Sequence, residues 1–392
     1  MMDQEAKNLF FEAFDKCSFE EWKAKATKDL KGADVIEKFS WASSSGVKLA
    51  PYYDQENSSE LDHLKVLHNC LFNQDKPTGD SRYWSNLEPI LVSDEKNANS
   101  AALKVLNAGA EGLAFDLADK SDVDLNILLK DVALSYCDVN FNATSLQPEL
   151  LKSLKEIAAL QGIEPAAIQG VIFAPQSIDA FDFSILASYL KDNADSSRFF
   201  KIGLISPNAD DPIHNQAKLL AQVVWIVDKL TDMGFNANEV LSNVAFSVNV
   251  GADFFLEIAQ LRALRYNFYQ LSQHFGATDI TPGHLHIRGI SELWSNEAYQ
   301  PHEGMLKNST SAMAAVLGGC NSVITVDEED AKSRRVARNV SSILKEESYL
   351  NMVADPVAGS YYIEHLTDEI ANKSWVAFQQ IEKDGGFESL SH

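Results

Sequence analysis

NVAFSVNVGADFFLEIAQLRALRYNFYQLSQHFG, residues 243–276, states a strand, a polar turn and a long helix in uninterrupted succession. Val244, Phe246, Val248 and Val250 alternate with smaller or polar residues, the period-two pattern of a strand in a barrel wall. From Asp253 the period changes. Phe254, Ile258, Leu261, Leu264, Phe268 and Leu271 recur every three or four residues, while Glu257, Gln260, Arg262 and Arg265 fall on other faces. This spacing predicts a helix with one buried stripe. Gly276 stands at the helix end, a C′ site where the left-handed conformation costs glycine nothing sterically. Together these pieces make half of a βαβ crossover.

The same texture extends to both sides. GLAFDL, SYCDVNF, GVIFAP, FFKIGLIS, VAFSVNV, HLHIRGI, SVITV and a last short piece near Met352 give eight strand candidates, most of them separated by helical patterns. Alternating strands and helices imply a parallel sheet, and eight repeats over about 250 residues is the (β/α)8 TIM barrel number. A doubly wound open sheet is the alternative, but no strand is followed by GxGxxG. The expected division is an arm and connecting segment over 1–96 and the barrel over 97–392. Within the arm, FEEWKAKATKDLKG (19–32) puts Phe19, Trp22, Ala26 and Leu30 on one helical face, and FSWASSSGVKLAPYY has hairpin punctuation. So small an arm must dock, either on the chain's own body or on a partner subunit.

Composition excludes several function classes. The chain of 392 residues has 45% hydrophobic content, 33 Lys and Arg against 56 Asp and Glu, and a formal charge of -23 with no basic block to reverse it locally. Such a surface repels phosphate backbones and anionic lipid, so neither nucleic acid nor membrane is an expected partner. Cys17, Cys70, Cys137 and Cys320 are scattered without a CxxC pair, which points away from a disulfide framework and toward a reducing cytoplasm. The first residues lack a signal peptide's basic start and apolar run, and no stretch is long and apolar enough to span a bilayer.

In a (β/α)8 barrel chemistry gathers just after each strand. SPNADD (206–211) carries no nucleophile–base pair, and His214 reads as the beginning of a helix. Asn249, Gly251 and Asp253 read as turn and N-cap groups. His284 and His286, two apart with Arg288 following, are expected on one strand face. They could form a metal pair with Asp355 in a hydrolase, against the default of hydrogen-bonded polar side chains in the barrel interior. DPVAGSYYIEHLT (355–367) reads as a binding loop or a packed corner, with Gly359 for a tight backbone, Tyr361 and Tyr362 next, and a helix from near Thr367. Arg334, Arg335 and Arg338 read as a solvated or interface face of a helix.

GADFFLEIAQLRALRYNFYQLSQHFG, PHEGMLKNSTSAMAAVLGGCNSVIT, RVARNVSSILKEES and DPVAGSYYIEHLTDEIANKSWVAFQQIEKDGG resemble the barrel domain of the adenosylcobalamin-dependent methylmalonyl-CoA mutases, and FEEWKAKATKDLKG resembles that family's N-terminal arm. The resemblance implies a (β/α)8 barrel, radical rearrangement of methylmalonyl-CoA to succinyl-CoA, and association of two related subunits. The departures from the catalytic pattern are specific. The chain stops six residues after Gly386 without the corrinoid-binding domain that presents DxHxxG to cobalt. HLHIRG comes near that motif, but His284 replaces its Asp and the segment reads as a barrel strand. ISPNADDPIHNQA stands where a Tyr-His pair and an AGA turn are expected, and His286-Ile287-Arg288-Gly289 stands where the pattern is HxQTSG, so Arg288 replaces the glutamine. GDSRYWSNLEP is a shortened form of the segment that lines the acyl-CoA channel.

The resemblance therefore implies the small, or beta, subunit of a heterodimeric mutase, supporting a catalytic large subunit. No catalytic, cofactor-binding or metal residue is expected here, and adenosylcobalamin belongs to the partner. A homodimer is the alternative state of the isolated chain. A catalytically active mutase barrel and the metal-dependent hydrolase built on His284 and His286 are the competing functions.

Overall fold

The computed structural model describes residues 17–43, 46–54, 61, 63–67, 82–174, 182–207, 211–291, 303–326 and 331–391. Eight parallel strands close into a barrel: β1 Ser85–Leu91, β2 Gly112–Asp116, β3 Asp138–Asn142, β4 Gly170–Phe173, β5 Phe199–Ile205, β6 Val244–Val250, β7 His286–Ser291 and β8 Ser322–Ile324. Each strand pairs with the next, and β8 pairs with β1 to complete the ring. The (β/α)8 reading holds. Its strand list needs two corrections. The strand expected near Met352 is absent, because residues 350–354 form turns and bends, preceded by Tyr349 at a left-handed φ of 54°. The missing strand is β1, which lies ahead of residue 97 and so places the barrel's start inside the stretch assigned to the connecting segment.

Pro89 hid β1, since proline cannot donate to a ladder and marks strand edges. It is tolerated because β8 pairs with β1 only through Ser322↔Ser85 and Val323↔Asn86, leaving Pro89 a partner on the β2 side alone. Side chains reinforce this short seam. Trp84 Nε1 donates to Ser341 Oγ at 2.8 Å, and Lys345 Nζ donates to Trp84 O at 3.1 Å and to the Glu111 carboxylate at 2.7 and 2.8 Å. Arg338 grips Glu88 through two bonds of 3.1 Å. Of the basic trio on the helix Ala331–Glu346, Arg338 is thus structural, while Arg334 and Arg335 are exposed.

Helices run outside the ring, and the main core lies between them and the strands' outward residues, such as Phe246 packed edge-on against Phe268 at 5.7 Å. The helix Phe254–His274 follows β6 as expected, and Gly276 beyond it is left-handed at φ 70°. Its single buried stripe is corrected: Glu257, Gln260, Arg262, Arg265 and Asn267 are buried as well. The final helix, Tyr361–Lys383, packs across its outer side and across Pro212–Asp232, adding a layer that one helical period cannot reveal. Arg265 turns inward and donates to the carbonyls of Pro282, Leu285 and Gly319 at 2.7, 2.6 and 2.8 Å.

The arm divides in its docking. Its hairpin, Trp41–Ala42 with Lys48–Leu49, and the helix His63–Leu67 lie on the body, where Val47, Leu49 and Leu67 pack with Ile213, Tyr266, Leu366 and Ile370. By contrast Phe19–Asp29 contributes no buried residue. A buried ion cluster ties His63 down. Its Nε2 meets Glu364 Oε2 at 2.7 Å, Glu364 receives two bonds from Arg262 at 2.9 and 2.8 Å and one from Gly359 N at 3.0 Å, and Arg262 also binds Asp355. Asp368 stands 3.7 Å from His63 Nδ1. Among the described residues no helix is long and apolar enough to cross a membrane.

Two outcomes are expected. Replacing Arg265 by Met leaves three buried carbonyls without donors and should cost about 3 kcal/mol or more in urea unfolding. The arm's docking should depend on pH. Burial opposes protonation of His63, but the Asp368 and Glu364 carboxylates outweigh it and raise its pKa above 6.5. Burial likewise opposes ionisation of Glu364, but His63, Arg262 and the Gly359 N–H bring it down to about 2. His63 then stabilises the folded state below its unfolded value and loses that contribution as pH rises through the folded one. Glu364 contributes above 4.5 and loses it as pH falls toward about 2. Amide protection in residues 63–67, the intrinsic exchange rate divided by the observed one at each pH, should be greatest between those limits and fall on either side, and Glu364→Gln should remove the optimum.

Candidate functional site

Strand alternation decides what faces the barrel lumen. In β7, Ile287 packs into the outer core, so His286, Arg288 and Ile290 point inward. Val244, Phe246, Val248 and Val250 of β6 face outward, which turns Ala245 and Ser247 in. Val171 and Phe173 of β4 pack with Ala245, and Phe200 of β5 joins them. A second inward group, Leu87, Ala114 and Ile324, fills the opposite wall. The lumen is a packed interior of mostly apolar side chains, as in other barrels of this size.

The expected histidine pair is not formed. His284 ends a short 3-10 turn, Pro282–His284, and is exposed, its Nδ1 accepting from Thr281 N at 3.0 Å. The strand begins only at His286, because Pro282 and Gly283 favour a turn over a ladder. Asp355, the third ligand invoked for a metal, is bound to Arg262 outside the barrel. Among the described residues no group of three His, Cys, Asp or Glu could hold a metal ion. The hydrolase reading falls with that geometry.

His286 is instead a wall residue. Its ring lies 5.0 Å from that of Phe200 and its Nε2 is 3.2 Å from Ser322 Oγ. Burial, helped by the Arg265 and Arg288 charges, brings it down to about 3 and keeps it neutral. Arg288 is the lumen's cation. Its guanidinium lies 3.7 Å from the centre of the Phe173 ring, and Nε donates to Ser247 Oγ at 3.1 Å across the β6–β7 pair. Burial with no acid beside it lowers Arg288 from 12.5 to about 9. A guanidinium so held is a positioned group, with a ring on one face and a hydroxyl on its Nε.

The remaining strand-end residues take structural roles. Asp211 caps the helix Pro212–Asp232 by accepting from Ile213 N at 2.9 Å, and also meets His214 Nδ1 at 2.6 Å, so His214 does sit in a first helical turn. Residues 208–210 of the same loop lie outside the described ones. Gly251 O accepts from Ser311 Oγ at 2.8 Å, while Asp253 occupies the N-cap position without a side-chain bond. The 355–367 stretch is a packed corner: Asp355 joins Arg262, Gly359 N joins Glu364, and the helix starts at Tyr361 rather than near Thr367. Tyr361 and Tyr362 stay partly exposed at 41% and 36%. The stacking of Arg288 on Phe173 and the buried cluster about Arg262 were not legible in advance, since each joins residues from distant segments.

Residues 211–390 match the family model described as Methylmalonyl-CoA mutase. The small subunit of methylmalonyl-CoA mutase from Porphyromonas gingivalis is 30% identical over 98% of this chain and 66% of its own length. The small subunit from Propionibacterium freudenreichii subsp. shermanii is 26% identical over 95% of the chain and 63% of its length. That organism's large subunit is 27% identical over 78% of the chain and 48% of its length. The chain thus spans between about half and two thirds of the relatives it matches. With a closed eight-stranded barrel, and with matches to small subunits that run from the arm to the final helix, this chain belongs to the methylmalonyl-CoA mutase family and carries a small-subunit-like barrel.

Proposed function

We propose that this chain is the non-catalytic small subunit of a methylmalonyl-CoA mutase, supporting a catalytic large subunit in a cytoplasmic heterodimer that interconverts methylmalonyl-CoA and succinyl-CoA. One observation carries the reading. Arg288, at the position where the catalytic pattern has glutamine, is turned onto Phe173 and Ser247 inside a filled lumen. A radical rearrangement needs donors free to polarise a thioester carbonyl and a cavity that excludes water around it. His286 and Arg288 are instead held against Phe200, Ser322, Phe173 and Ser247.

The described histidines support the same reading. Cobalamin chemistry supplies an organic radical, and the family's cobalt is reached by a presented histidine. The described histidines do not fit that task. His63 and His214 bond to carboxylates, His284 accepts from Thr281, and His286 lies against Phe200 and Ser322. His274 and His365 stack on Trp375 and Tyr53. We therefore place adenosylcobalamin on the large subunit. Similarity to both a small and a large subunit of one organism supports a pair of related chains.

The arm suggests how the partner is met. Phe19–Asp29 is capped by a reciprocal Ser18–Glu21 box, so the helix forms with its own terminal bonds satisfied. Its aromatic face is only half-buried by the rest of the chain, with Trp22 stacked on Tyr52 at 4.5 Å and Phe19 tilted against it at 6.0 Å. A capped helix with a half-buried aromatic face suits docking on another subunit.

The isolated chain is expected to show no adenosylcobalamin-dependent turnover of methylmalonyl-CoA, and to form a stable complex when a catalytic large subunit is supplied. Turnover by the chain alone would overturn the assignment. In the complex, Trp22→Ala should weaken association about tenfold, measured by titration calorimetry, because a large aromatic anchor is lost.

A further inference from the structure

At the end of the barrel where its strands begin, five large apolar side chains stand in water. Tyr136 and Leu160 are 87% and 86% exposed, and Tyr349, Met352 and Val353 are each more than half exposed. Single apolar residues on a surface need no explanation, but contiguous ones mark interaction sites. Backbone and side-chain bonds bring these five onto one rim. Arg82 N donates to Asn351 O at 3.0 Å, which seats residues 349–353 beside the start of β1. Ser85 Oγ of β1 binds Asp138 of β3, two residues beyond Tyr136. Gln161 donates to Val132 O at 2.8 Å and accepts from Leu134 N at 3.0 Å, so Leu160 lies next to the turn that carries Tyr136. The rim thus runs from β1 to β4, about 14 Å across three strand spacings. Its corner is fixed, since Leu350 N donates to Leu344 O and Met352 N to Tyr349 O, each at 3.1 Å. Tyr349 holds a φ of 54°, which bulky side chains rarely adopt, and such strain gathers at functional positions.

We propose that this rim is a docking surface for a basic amphipathic helix of another protein, its apolar stripe laid on the tyrosines and aliphatic side chains. Charge selects that occupant. Residues 130–138, 160–168 and 346–353 expose Asp131, Glu164, Glu346 and Glu347 against Lys130, in a chain of net charge -23. Lysines or arginines beside an apolar stripe meet those carboxylates, whereas a second copy of this chain would set like charges against them. Anionic lipid is excluded on the same ground. A helix of four turns, about 22 Å long, spans the rim with one face. The arm, proposed to meet the large subunit, is anchored elsewhere, on Ile213, Tyr266 and Leu366 of the helices that follow β5 and β6 and of the final helix. The rim is therefore a separate surface, and its reading does not rest on the subunit assignment.

The probe is a fluorescein-labelled, helix-forming peptide of about 18 leucine and lysine residues with one leucine face. Its controls are a scrambled isomer of the same composition and a version with glutamate for lysine. Each is titrated by fluorescence anisotropy with the purified full chain at fixed ionic strength. Saturable binding of the striped peptide is expected, about tenfold or more tighter than that of the scrambled isomer, with no binding of the glutamate version. Tyr136→Ser and Met352→Ser, at exposed positions that leave the core untouched, should each weaken it about fivefold or more. Val376→Ser, at an exposed position on the final helix, should bind like the parent. A scrambled or glutamate peptide that binds as tightly, rim variants that bind like the parent, or an equal loss in Val376→Ser overturns the proposal. So does a dimer of the chain alone, seen by sedimentation, that Tyr136→Ser dissolves, since a second copy would then be the occupant.

Discussion

The outer layer of this barrel depends on a buried ion cluster. Arg262 points away from the strands, where a solvated face would be expected, and is covered by the helix Tyr361–Lys383. It can remain charged there because Asp355 and Glu364 meet it, while Glu364 also binds His63 and the Gly359 N–H. Removing any one partner would leave a buried charge uncompensated, so the members stabilise one another's burial more than they add net stability. Three pieces of chain are fixed by this one cluster: the helix after β6, the corner before the final helix, and the part of the arm that carries His63.

That arrangement separates scaffold from lumen. The outer cluster is balanced, with carboxylates matching its cations, and holds the arm in place. The inner group is not balanced, since Arg288 has a ring and a hydroxyl for company. The proposed subunit role follows from this difference. The cations that dock segments meet carboxylates, whereas Arg288 in the lumen is held by a ring and a hydroxyl.

Much of the fold was legible because it is written in local periods. The stretch about Val244 to Val250 and its following helix keep the expected alternation, spacing and terminal glycine. What failed was non-local. Pro89 disguised a strand because its unpaired side is fixed by the short register with β8, not by neighbouring residues. The burial of Arg262 depended on a helix about a hundred residues on, and that of Arg265 on the carbonyls of Pro282, Leu285 and Gly319. His284 falls in the turn before β7 and not in the strand, because Pro282 and Gly283 outweigh the alternation. At the candidate site the sequence singled out Arg288 as a departure, but its stacking on Phe173 joins β4 with β7 across the lumen, and periodicity within a strand carries no such information.

The two-pair register between β1 and β8 has a consequence for how the ring is completed. Its supporting bonds, such as that between Trp84 and Ser341, join residues 257 positions apart. Contacts of that span are rewarded only once both ends of the chain have been placed. A ring left unclosed would expose a bare strand edge on each side, and bare edges pair readily with copies of themselves. The clasp formed by Trp84, Lys345 and Arg338 thus guards against intermolecular strand exchange, and its loss would convert a self-contained ring into a template for aggregation.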